Sequence, residues 1–139
     1  MSTTTTTVSN DVERNFEQQE VITESKAITA ADSGKTFLIS GTGYTITLPE
    51  TTAGVVYKFK VAAAFSTDML IQTVSTQRDT ISGSLIVAGA VVDADAVDRV
   101  TFEDGAERIG DFIELSSDGS VWTLFGNGAQ SSSITVGEL

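Results

Sequence analysis

The chain has 139 residues, room for one domain or one domain with an arm, and a domain near this size buries roughly 70% of its unfolded surface. Hydrophobic residues make up 40% and charged residues 19%, which excludes a chain disordered throughout. Nineteen acids against eight bases leave a formal net charge of -11 and no basic face for nucleic acid or an anionic membrane, while the absence of Cys and His excludes disulfides, thiol nucleophiles, Ser-His-Asp triads and the usual zinc sites.

The first 26 residues differ in character from the rest. MSTTTTTVSN is of low complexity, with a Thr run that favours extended backbone. DVERNFEQQEVI has the pattern of a short helix capped by Asn10 or Asp11, with Val12 and Phe16 one turn apart. Residues 1–26 therefore read as an N-terminal arm, with little apolar content to contribute to a core that begins at Ala27. Thr3, Thr4, Thr5, Thr6 and Thr7 suit the addition of a strand to a partner's sheet edge, and Val12, Phe16, Val21 and Ile22 suit apolar pockets on that partner.

Residues 27–139 read as strand, turn, strand. KTFLIS is followed by a Gly-Thr-Gly turn and by YTITLP, in which Tyr44, Ile46 and Leu48 share a face and Pro49 ends the strand. VVYKFKVA alternates, with Val55, Tyr57, Phe59 and Val61 on one side and Val56, Lys58 and Lys60 on the other. MLIQTV, ISGSLIV (with Gly83 marking a bulge), AVDRVTFE, IGDFIEL, SVWTLFG and SSITV complete the set. Short strands at these intervals predict an all-β fold, an antiparallel β-sandwich or short β-barrel with an extended N-terminal arm.

The stretch GDFIELSSDGSVWTLFG places Asp111, Glu114 and Asp118 among large apolar residues. Asp118-Gly119 fits a two-residue hairpin turn, which predicts Leu115 opposite Trp122, Ile113 opposite Leu124, Glu114 opposite Thr123 and Phe112 opposite Phe125. Trp122 then belongs to a core layer. A glycosidase needs two carboxyls converging on one bond, about 5–10 Å apart. Asp111 and Glu114 fall on opposite faces and Asp118 in the turn, so no catalytic pair is expected. DADAVDR (Asp93, Asp95, Asp98) lacks the Gly and distant Glu of a calcium loop and reads as a solvated loop. SGTGYT lacks the Lys of a phosphate loop. No cofactor or metal is expected, and no secretory signal or membrane-length apolar run is seen, which suggests synthesis in the cytoplasm.

ITAADSGKTFLISGTGYTITLPE, the G-x-V-Y-K-F-K-V strand, DTISGSL and IGDFIELSSDGSVWTLFGNG together resemble small virion proteins of tailed bacteriophages, both head decoration proteins and modules of head or tail fibres. The resemblance covers about Ile28 to Gly128 and rests on structural motifs. It implies a capsid decoration (cement) protein that binds the outer surface of the assembled head and stabilises it. The partners it implies are the major capsid protein and other copies of itself, as a trimer, with the arm as attachment element; neither nucleic acid nor membrane is involved. The alternative is a fibre module contacting a host surface glycan, and a carbohydrate-active enzyme is disfavoured by the missing carboxylate pair.

Overall fold

The computed structural model describes residues 18–139. The strict alternation of VYKFKVAAAF forms the longest strand, β5 (Val56–Phe65), because Tyr57, Phe59 and Val61 can all enter a core while Lys58 and Lys60 stay outside. Before it come β1 (Gln18–Val21), β2 (Lys26–Ala27), a 3-10 turn at Ala30–Asp32, β3 (Lys35–Gly41) and β4 (Thr45–Thr47). After it come β6 (Met69–Gln72), β7 (Ile81–Val87), β8 (Ala90–Val97), β9 (Arg99–Phe102), β10 (Phe112–Ser117), β11 (Trp122–Gly128) and β12 (Ile134–Gly137).

The strands form a seven-stranded sheet, ordered β1-β3-β5-β10-β11-β7-β8, and a five-stranded sheet, ordered β12-β9-β6-β4-β2. The fold is an all-β sandwich. Between the sheets lie Phe37, Ile39, Tyr57, Phe59, Ile113, Leu115, Trp122 and Leu124 from the first and Ile46, Met69, Ile71, Val100, Phe102 and Ile134 from the second, all nearly inaccessible. Phe37 stacks on Phe59 at 5.3 Å between ring centroids, and Tyr57 packs against Trp122 at 5.8 Å.

Strand pairing is mixed where antiparallel pairing was expected. The first six strands alternate between the two sheets, so each returns to its own sheet after one strand in the other. A chain wound in this way lays successive strands of a sheet in the same direction, and β1–β3, β3–β5, β2–β4 and β4–β6 are all parallel. Antiparallel hairpins appear only from β7 onward, at β7–β8 and β10–β11. The Gly-Thr-Gly segment is thus a crossing between sheets. Gly43 makes it possible, since a Cβ there would lie 1.9 Å from the Thr67 carbonyl oxygen.

Two expectations change at the N-terminus. Gln18–Val21, read as the end of a helix, is an edge strand paired with Lys35–Leu38. Glu20 sits between Lys26 and Lys35 and accepts a hydrogen bond from Lys35 Nζ at 2.9 Å, which ties the strand to its neighbours. Ile22, assigned to a partner's pocket, is 3% exposed and belongs to this chain's own core. The free edge of β3 outweighs a weak helical preference here. Residues 18–26 are therefore built into the sandwich, ahead of the expected boundary at Ala27.

The bulge at Gly83 is present as a register shift between Ile81 and Gly83 against β8. DADAVDR is not a loop: Asp93 and Asp95 stand on β8, and Asp98 is buried at its end.

Candidate functional site

The acids of the β10–β11 hairpin are structural in placement. The loop between Ser117 and Trp122 has four residues rather than two, because Asp118 Oδ1 accepts from the N–H groups of Ser120 at 2.8 Å and Val121 at 3.1 Å. These bonds hold the exposed Asp118 carboxyl below the usual range. The register therefore differs from the expected one, with Leu115 opposite Leu124, Ile113 opposite Gly126 and Ser117 opposite Trp122. A shift of two residues keeps every side chain on its expected face, so Trp122 is fully buried as expected. Glu114 is exposed opposite Phe125, and Phe112 lies opposite Asn127. Asp111 is buried and accepts from the N–H groups of Arg108 and Ala129, at 3.1 and 3.0 Å. Asp111, Glu114 and Asp118 do not meet in one cleft.

Asp98, Asp79 and Glu138 form the densest acidic group among the described residues, with carboxylate oxygens within 4.8 Å of one another. Asp98 is fully buried, yet its oxygens are occupied by the N–H groups of Asp79 and Leu139 and by Arg78, whose Nη2 lies 3.0 Å away. Burial pushes its carboxyl up, but those N–H groups and the guanidinium outweigh it and hold it below the ordinary range. Burial, with the neighbouring Asp98 and Asp79, raises Glu138. The group works as a clasp holding the chain end at Leu139 to the β8–β9 junction.

The solvent-facing side of the seven-stranded sheet is the feature that folding leaves unexplained. Following the register across all seven strands gives one row: Val21, Leu38, Lys60, Phe112, Asn127, Ile86, Val91. Five of these seven residues are apolar. The next row, Gln19, Thr36, Lys58, Glu114, Phe125, Ser84, Asp93, adds one more large apolar side chain. Val91 is 70% exposed, Phe125 54% and Val21 48%. Phe125 and Phe112 touch edge to face at 6.0 Å, and Lys58 Nζ lies 5.1 Å from the Phe112 ring centroid. Ile109, 77% exposed, borders a shallow groove of about 320 Å³ beside Leu38, Lys60 and Ala62. Scattered exposed apolar residues need no explanation, whereas a mainly apolar row across a sheet, broken here by Lys60 and Asn127, marks a contact surface.

Lys58 and Lys60 are also distinctive. Lys26, Lys35 and Arg78 form ion pairs, whereas neither Lys58 nor Lys60 does among the described residues. In so acidic a chain, two unpaired lysines in the middle of an apolar face suit a partner that brings carboxylates.

Of the residues assigned to partner binding from the sequence, Val21 falls on this face and Ile22 in the core, and Thr3, Thr4, Thr5, Thr6, Thr7, Val12 and Phe16 lie outside the described residues. Leu38, Phe112, Phe125, Ile86 and Val91 were missed. For Leu38, Phe125 and Ile86 the signal is visible in KTFLIS, VWTLFG and SLIV, where apolar residues occupy both parities and therefore both faces of the strand. Among the described residues no helix is long and apolar enough to cross a membrane. No family model, curated protein or solved structure matches the chain.

Proposed function

We propose that the chain is a non-enzymatic structural protein of a phage virion, a decoration protein that binds the outer surface of the assembled head and stabilises it. In this reading the major capsid protein is its partner, the N-terminal arm is the attachment element, and it is made in the host cytoplasm without cofactor, nucleic acid or membrane. The observation that carries a binding role is the apolar row spanning the seven-stranded sheet on its solvent side. The placement of the hairpin acids and the clasp around Asp98 adds support, because the carboxylates of Asp98, Asp111 and Asp118 all accept from the chain's own backbone N–H groups. The resemblance of the strand motifs to decoration proteins supplies the virion.

The test is co-sedimentation with purified undecorated heads, comparing the full chain with a chain that starts at Gln18, where the described sandwich begins. Loss of binding on removal of residues 1–17 is the expected result. Full-strength binding by the shortened chain would transfer the contact to the sandwich, and no binding by either would end the decoration reading.

One observation favours a second reading. The Phe112–Phe125 pair beside Lys58 and Glu114 offers a sugar ring an aromatic platform with polar neighbours, as a fibre module contacting a host glycan would need. Copy number separates the two: hundreds per particle for decoration, a few or a few dozen for a fibre.

A further inference from the structure

We infer that the outer face of the seven-stranded sheet is a self-association surface, on which two copies of this chain pair face to face about a two-fold axis running along β11. This goes beyond the decoration reading and does not depend on it.

The argument comes from the register. A two-fold axis along a strand keeps the height of every row and reverses the order of the strands. With the axis on β11, β10 lies over the partner subunit's β7, and β5 lies over its β8, because each stands equally far from β11 in the sheet order. In the upper row Phe112 then meets the partner's Ile86, and Asn127 meets the partner's Asn127. In the lower row Lys58 meets the partner's Asp93, and Phe125 meets the partner's Phe125 on the axis. Phe112 and Phe125 fall on apolar side chains and Lys58 on a carboxylate, while Lys60 lies over the partner's Val91 and Glu114 over the partner's Ser84. Placing the axis on β10 instead would set Lys58 against the partner's Phe125 and leave Asp93 opposite the partner's Gln19, losing both matches.

Charge argues for this placement as well. With a net charge of -11, copies repel in general, so only a face that carries cations can approach its own kind. This face carries Lys58 and Lys60 on β5, Glu114 on β10 and Asp93 and Asp95 on β8, and the axis between them brings Lys58 over the partner's Asp93 twice, once for each copy. Sheets packed face to face stand about 10 Å apart, which these side chains can fill.

Five strands about 4.8 Å apart and three rows about 6.8 Å apart, the third being Val56, Ser116, Thr123 and Ser82, give a footprint of roughly 450 Å² per copy. That is the size of a weak, reversible contact. Association is expected at tens of micromolar, and crowding of copies on a surface would strengthen it through effective concentration.

Sedimentation velocity of the full chain from about 5 to 500 µM tests the inference. A reversible monomer–dimer equilibrium is expected. Lys58→Glu and Asp93→Lys should each weaken it at least about tenfold, and the double variant Lys58→Glu/Asp93→Lys should return to within about threefold of the parent, because both pairs are re-formed with reversed sign. Phe125→Asp should abolish it. Unchanged urea midpoints would show that these exposed positions leave the fold intact. A monomer at every concentration, a trimer, or a double variant as weak as the single ones would overturn the inference. So would a dimer that appears only when residues 1–17 are removed, since that segment would then be the occupant of the face.

Discussion

Ile22→Ala separates a core residue from an arm residue. Ile22 is 3% exposed, its N–H donates to the Leu38 carbonyl at 2.9 Å, and its side chain joins the cluster between the sheets. Truncating a buried Ile to Ala removes the transfer energy of the lost methyl and methylene groups and leaves a cavity, about 2–5 kcal/mol in all. At one end of a sandwich the surroundings collapse more readily than at its centre, which places the expected loss near 3 kcal/mol. For a folded unit of this size that corresponds to a melting temperature lower by about 10–15 °C. Val21→Ala, next in the chain but 48% exposed, should cost under about 1 kcal/mol. Urea unfolding followed by Trp122 fluorescence measures both, with an unchanged m-value as the check on two-state behaviour. A chain starting at Ala27 should lose more than Ile22→Ala, because it also lacks the β1–β3 ladder and the Glu20–Lys35 pair. If Ile22→Ala and Val21→Ala cost the same small amount, Ile22 is not core and the assignment of residues 18–26 to the sandwich is wrong.

Trp122→Ala should cost about 3–5 kcal/mol, while Trp122→Phe should cost much less, because the buried indole Nε1 has no hydrogen-bond partner to lose; equal losses in chemical denaturation would refute the packing account. Gly83→Ala should unfold the protein or cost more than about 3 kcal/mol, since a Cβ at φ +149 would lie 2.1 Å from the Leu124 carbonyl oxygen, and a soluble variant of near-parental stability would refute the tight β7–β11 approach. The Asp98 carboxyl is held below its unfolded value, so its stabilisation is present above the ordinary Asp range and is lost as pH falls through the folded value. Unfolding free energy measured between pH 2.5 and 7 should drop below about pH 4, and Asp98→Asn should lower it at pH 7 by about 2–4 kcal/mol and flatten that acid limb. A parental acid limb in Asp98→Asn would show that other carboxylates carry it.

The all-β class and most of the core, Ile22 apart, were legible because burial on one side of a strand imposes a period of two, and VYKFKV and IEL display it directly. Partner choice was not. Whether two strands run parallel depends on where the chain travels between them, and nothing in KTFLIS or YTITLP records that the first six strands alternate between sheets. The hairpin illustrates the same division: a register shifted by two residues exposes and buries the same side chains, so periodicity supports the faces of Ile113, Leu115, Trp122 and Leu124 while leaving the loop length to the local bonds of Asp118. VVDADAV does alternate, yet its acids and small residues masked a strand whose outer face is solvated, and the burial of Asp98 rests on Asp79, Arg78 and Leu139, all distant in sequence or on the far side of the junction. The candidate surface belongs to the same class. Five of the seven strands contribute one apolar residue each to this row, and only lateral hydrogen bonding between seven strands sets Val21, Leu38, Phe112, Ile86 and Val91 in a single line. Composition and periodicity act along the chain and decide what is buried; register acts across it, and it alone decides which exposed side chains become neighbours.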